Sequence, residues 1–223
     1  MASAGDIEET VIIGLGTPRA EGAVAFGFRR FEEFAPPVEG YDWNDDLGRV
    51  FRSLFYTRAQ DARERLGLAP QLHRFIVDEL LPKLVSELPV DAGNLGLLGH
   101  SAGGTFTSFV SHQADSPFKR YVCVSPGIAI SGNWLMRQQP TPASKNSASM
   151  FLSIGGEEKG NRFNIVAGIP DTEAYTLRLR SQRVAARYLC LEGETHSSVY
   201  PQAVAAALAE LYAAHPAQSR RTA

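Results

Sequence analysis

Ser101 stands in Gly99-His100-Ser101-Ala102-Gly103, a Gly-X-Ser-X-Gly pattern directly after an apolar run at Leu95, Leu97 and Leu98. This is the pattern of a nucleophile elbow, in which a serine on a sharp strand-to-helix turn takes a strained backbone conformation with its hydroxyl thrust outward. Glycines on both sides let neighbouring backbone pass closely. The residues from Thr105 to Val110 can start a helix whose first amides face a developing negative charge. A serine hydroxyl is a poor nucleophile until a base takes its proton, and the base must itself be held in one tautomer by a third group.

In that arrangement the nucleophile, the acid and the histidine follow one another along the chain, each after a parallel strand. His196 fits the last place: it follows the apolar run Tyr188 to Leu191 and precedes a helical stretch from Pro201 to Ala213. The other histidines are placed worse, with His73 in a helix, His100 inside the elbow, His112 at a helix end and His215 in the tail. The acid should leave the strand Met150 to Ile154, and both Glu157 and Glu158 follow it. An exposed glutamate pair is otherwise an ordinary solvated loop. Asp171 and Glu194 are weaker candidates, and a Ser101–His196 dyad is the arrangement without an acid.

The elements that must carry these groups alternate between strands and helices. Val11 to Leu15 reads as a strand closed by Gly16-Thr17-Pro18. Residues 19–69 read as a loop-rich insertion or lid, with Pro36-Pro37, Gly40 and the acidic aromatic patch from Tyr41 to Asp46. Within it Tyr41 and Trp43 could line a cleft or anchor the loop. Pro70 opens a helix with Leu72, Phe75, Ile76, Leu80 and Leu84 on one face, and Pro82 predicts a kink or a break in it. Tyr121 to Ser125 reads as a second buried strand, Ile130 to Ser147 as a loop and Asp171 to Arg187 as a mixed helix. The alternation predicts one α/β domain over residues 1–223, a mostly parallel sheet with helices on both faces, ending in a flexible tail at 214–223.

A hydrophobic fraction of 44% over 223 residues suits one soluble domain with a sizeable core. The net charge of -2 gives no sign of a nucleic-acid or anionic-membrane partner. The arginines at 178, 180, 183 and 187 read as a solvated helix face. Cys123 and Cys190 lie in apolar runs, which favours buried thiols and a cytoplasmic setting over a disulfide framework. No apolar stretch reaches the length of a membrane span, and Met1 to Thr10 lacks the basic-then-apolar order of a signal peptide. Neither a cofactor nor a metal is expected.

Several stretches together resemble the esterase branch of the α/β-hydrolases, particularly the group of bacterial enterobactin and salmochelin esterases. They are Val11 to Gly16, Arg30 to Pro37, Phe75 to Pro82, Gly99 to Gly104, Ser125-Pro126, Trp134, Ser153 to Glu158 and Gly193-Glu194-Thr195-His196. The family pattern places the acid after a Ser-X-Gly-X-X turn, which lands on Glu158. The resemblance implies hydrolysis of carboxylic esters through an acyl-enzyme, with a small-molecule substrate and siderophore lactones as one class. Generic short-chain acyl or thioester hydrolysis is the alternative, and a hydrolase fold that binds a ligand with little or no turnover is another. Arg30, His100 and Trp134 are the candidates for substrate contact.

Two departures from the family accompany the resemblance. Glu33 follows Arg30 where related chains carry aspartate. Val11 to Leu15 matches the fourth strand of the fold, and ten residues cannot hold the three strands of about five residues each and the crossover of about a dozen that precede it in relatives. The expectation is an N-terminally shortened sheet, from a start that lies upstream or a reduced variant. The oxyanion donor legible in the sequence is then the Ala102 amide, and loss of one donor costs roughly 3 kcal/mol of transition-state stabilisation. The sheet edge beside Val11 to Leu15 would need covering by a loop or a second copy in a homo-oligomer.

Overall fold

The computed structural model describes residues 7–16, 18, 20, 22–39, 49, 65–139, 148–159 and 168–213. Four strands, β1 (Gly96–His100), β2 (Arg120–Val124), β3 (Ser149–Gly155) and β4 (Ala185–Leu191), form one sheet in the order β1-β2-β3-β4. Every pairing is parallel, and His100, Val124 and Ser153 are aligned across the first three strands. The carboxyl ends of these strands therefore share one rim of the sheet.

Side-chain alternation along the strands separates two cores. Tyr121 and Cys123 on β2 and Met150 and Leu152 on β3 face one side. There they meet Phe106, Phe109 and Val110 of α4 (Ala102–Val110), Leu135 of α5 (Ile130–Arg137) and Tyr175 and Leu179 of α6 (Ile169–Ser181). Val122, Val124 and Phe151 face the other side, where α7 (Val199–Leu211) presents Val199, Ala203 and Ala207. The expected parallel sheet with helices on both faces is what forms.

The helical run before β1 changes register ahead of Pro82 and is not broken by it. It begins as α2 (Ala69–Arg74), widens into a π-helical stretch (Phe75–Leu80) and ends as α3 (Leu81–Glu87). The Leu81 amide bonds back to the Ile76 carbonyl, five residues earlier. Pro82 has no N–H to offer and crowds the preceding turn, and the wider register accommodates the ring without ending the helix.

Three expectations are corrected. Val11 to Leu15 is not a strand: the segment is held through the Ile7–Ala213 bridge and the Glu8 amide on the Tyr212 carbonyl, and Ile12 is 79% exposed. Among the described residues β1 pairs on its β2 side alone, so its outer edge is open, yet Val11, Ile13 and Leu15 line a cavity beside the start of β1 instead of pairing with it. Second, the region read as irregular contains α1 (Gly22–Phe34), whose Phe34 ring packs 5.6 Å from that of Phe106. Third, Ile130–Arg137 is a kinked helical segment rather than a loop: Ser131, Gly132 and Asn133 take left-handed backbone (φ 55°, 65° and 58°), and buried Ile130 and Leu135 anchor the segment to the core. Tyr41 to Asp46 and residues 214–223 lie outside the described residues.

Candidate active site

Ser101 follows the last residue of β1 and precedes the first residue of α4. Its φ of 59° is disfavoured for a residue with a Cβ, and the Ser101 amide bonding to the Val124 carbonyl at 2.9 Å holds it there. Gly99 and Gly104 make the turn possible: a Cβ on Gly99 would sit 2.0 Å from the Gly103 carbonyl oxygen, and one on Gly104 2.8 Å from that of Val124. Gly103, though part of the motif, has nothing nearer to a Cβ than the Phe34 ring at 4.0 Å.

Ser101 Oγ lies 2.9 Å from His196 Nε2, and His196 Nδ1 lies 2.7 Å from Glu158 Oε2. A carboxylate accepts, so Nδ1 carries the proton and the Nε2 lone pair faces the serine hydroxyl, the tautomer a general base needs. Glu158 is 2% exposed. Burial pushes its carboxyl up, and hydrogen bonds from His196, Ser125 and the Gly155 amide outweigh that and hold it below the ordinary carboxylate value. The result is an ionised acid in a largely dry place. Glu157 is exposed, Glu194 accepts a bond from Gln202 and Asp171 sits in the first turn of α6, so of the four acids the structure brings Glu158 to the histidine.

The strand ends explain why three distant residues meet. Glu158 follows β3 by a tight turn, with its amide on the Gly155 carbonyl, and Glu157 donates its amide to the Glu194 carbonyl at 3.0 Å. That last bond ties the acid's turn to the loop that carries His196 between β4 and α7. Within the loop, Thr195 and Ser198 exchange amide-to-hydroxyl bonds and Val199 donates to the Thr195 carbonyl.

Ala102 opens α4, so its N–H has no intrahelical acceptor and lies next to Ser101. Arg30 is partly buried on α1, close enough for its charge to act on His100, and burial lowers its own pKa. His100 places Nε2 2.8 Å from the His196 carbonyl oxygen. Trp134 packs its ring 5.1 Å from Phe109 and 6.0 Å from His112, about two helical turns along α4 from Ser101. His73 pairs with Asp115, and His112 bonds the Tyr175 hydroxyl.

One residue of the site carried no role in the sequence reading. Ser125 follows β2 at φ 46°, fully buried, and its hydroxyl donates to Glu158 Oε1 at 2.6 Å. The available signal was a serine closing an apolar strand immediately before a proline. An open cavity of about 250 Å³ lies elsewhere, beside the start of β1 between Val11, Ile13 and the helix residues Leu84 and Val85. None of Ser101, His196 and Glu158 lines it. Among the described residues no cluster of three His, Cys, Asp or Glu side chains could hold a metal, and no described helix is long and apolar enough to cross a membrane.

No family model matches the sequence. The chain is 23% identical over 220 residues to the ferri-bacillibactin esterase BesA of Bacillus subtilis (strain 168), across 92% of this chain and 68% of that protein. The crystal structure of the BES protein from Bacillus cereus superposes with a TM-score of 0.65 at 21% identity, over 83% of this chain and 66% of that one. The fold is that of the α/β-hydrolases. The siderophore hydrolase EstA from Aspergillus nidulans has the same hydrolase fold, with a TM-score of 0.64 at 20% identity over 82% of this chain and 65% of its own. The chain thus spans about two thirds of these relatives' length. The part of the hydrolase fold described here includes the elbow, the acid's turn and the histidine loop.

Proposed function

We propose that this protein is a serine esterase that cleaves carboxylic esters through an acyl-enzyme. The observation that carries the reading is the continuous line from Ser101 Oγ through His196 to Glu158, at 2.9 and 2.7 Å. Ser101 Oγ attacks the ester carbonyl carbon while His196 Nε2 takes the hydroxyl proton, and Glu158 stabilises the imidazolium that results. The Ala102 amide donates to the oxyanion. Collapse expels the alcohol, which receives the proton from His196. Water, deprotonated by the same nitrogen, then releases the acid and restores the serine.

The substrate class we favour is the siderophore lactone. Its support is that the relatives are named as a ferri-bacillibactin esterase and a siderophore hydrolase. A cytoplasmic setting goes with this proposal, in keeping with two cysteines that form no disulfide. The test is turnover of a chromogenic acetate ester and of a catecholate trilactone by the wild type and by Ser101→Ala. Release of product from both, lost in the variant, supports the full reading. Cleavage of the acetate alone leaves a generic short-chain or thioester hydrolase.

A second reading, a hydrolase fold that binds without turnover, is favoured by two observations. Among the described residues β1 is unpaired on its outer side, and Ala102 is the oxyanion donor identified. Absence of any Ser101-dependent product, with trilactone binding retained, would select it.

A further inference from the structure

His100 was a candidate for substrate contact, but its polar edge and one ring face are already engaged inside the protein. Its Nε2 meets the His196 carbonyl oxygen at 2.8 Å, and because a carbonyl can only accept, Nε2 must carry the proton. Its ring packs 4.8 Å from the His196 ring and 5.4 Å from that of Tyr200, in the first turn of α7. His100 is the last residue of β1, one position before the nucleophile.

We propose that His100 is a positioning residue that ties the loop of the catalytic histidine to the strand of the nucleophile. The inference rests on the serine-esterase reading of the site. The loop is bound to the acid's strand through Glu157 to Glu194 and through Glu158 to His196. Those two ties fix His196 relative to Glu158 and say nothing of its distance from Ser101. His100 closes the third side of the triangle: it bonds the backbone of His196 itself, and a rigid strand end holds the other end of the tie. A shift of about 1 Å between base and nucleophile can cost about a hundredfold in rate.

The charge state fits the role. His196 becomes an imidazolium during the reaction, and a second imidazolium packed against it would oppose that step. Burial lowers the His100 pKa, the His196 charge lowers it further, the bond to the His196 carbonyl and the Glu158 charge raise it, and Arg30 lowers it. The net direction is down, so the ring stays neutral and still donates through Nε2.

Two variants separate the tie from bulk. His100→Phe keeps a ring and removes the donor, while His100→Gln places an amide N–H near the position of Nε2. With a chromogenic acetate ester, His100→Phe is expected to lose about 10- to 100-fold in kcat with KM within about twofold, and His100→Gln to recover most of it. Hydrogen–deuterium exchange of the amides at 193–199 is expected to quicken at least about tenfold in His100→Phe and to return towards wild type in His100→Gln. A rise in KM with kcat unchanged would make His100 a substrate contact and overturn the proposal, as would unchanged exchange in His100→Phe. If the wild type turns over no ester, faster exchange in His100→Phe alone still supports the tie, while the esterase reading falls separately.

Discussion

Ser125 and Glu158 are joined by a 2.6 Å hydrogen bond, and the Gly155 amide meets the same carboxylate oxygen at 2.9 Å. Oε1 is thereby occupied and Oε2 is directed at His196. Ser125 is in turn held at positive φ by its amide on the Ser153 carbonyl, one rung beyond the paired strands. A serine just beyond β2 thus sets the orientation of an acid beyond β3.

Ser125→Ala removes that donor while the acid and base remain. Hydrogen bonds to charged groups are worth about 1.5–3 kcal/mol, so the variant should lose about 2 kcal/mol of stability at pH 7 and about tenfold in kcat. The Glu158 carboxyl is held below its ordinary value, so its stabilisation is full above the unfolded carboxylate pKa and fades as pH falls through the lower folded one. Urea midpoints at pH 7 and pH 3 check this: the gap between wild type and Ser125→Ala should narrow at the lower pH.

Glu158→Gln keeps the shape of the acid and removes its charge, leaving nothing to stabilise the imidazolium. A fall in kcat of about 10³- to 10⁴-fold with KM little changed is expected. Glu157→Gln should stay within about twofold of wild type, since the Glu157 side chain is exposed and its tie to Glu194 runs through the backbone. Steady-state kinetics on an acetate ester decide between the neighbours.

The two motif glycines should respond differently to a methyl group. Gly99→Ala would drive a Cβ into the Gly103 carbonyl at 2.0 Å and is expected to cost about 3 kcal/mol or more, or to abolish folding. Gly103→Ala meets only a ring edge at 4.0 Å within a helix and should be neutral or stabilising by up to about 1 kcal/mol. Thermal melts of both variants give the comparison.

Acid should weaken the fold through His112, far from the chemistry. Burial takes its pKa from 6.5 down to about 4, against a bond to the Gln139 backbone that raises it, with Arg178 lowering it further. The unfolded chain binds this proton from about pH 6.5 downward and the folded one only near pH 4, so stability falls as pH falls between the two, by about 3 kcal/mol at most. His112→Gln keeps a partner for the Tyr175 hydroxyl and should show a shallower decline of Tm over that window.

From the sequence alone, the places of Ser101 and His196 on their turns and the four strand segments of the sheet were legible, because each is written in local terms. A Gly-X-Ser-X-Gly turn needs its glycine where the backbone crosses itself at Gly99, buried strands need the unbroken apolar runs at 121–124 and 150–154, and a histidine after the last strand needs only a loop. Tertiary structure decided the rest. Whether Val11 to Leu15 forms a strand depends on whether it docks on the open edge of β1, how much of Ile130–Arg137 turns helical depends on a core to bury Leu135, and which of Glu157 and Glu158 turns inward depends on the backbone tie to Glu194. Ser125 and His100 acquire their places from partners 33 and 96 residues away. Contacts across such separations exist only once the sheet has aligned its strand ends, and no local pattern encodes them.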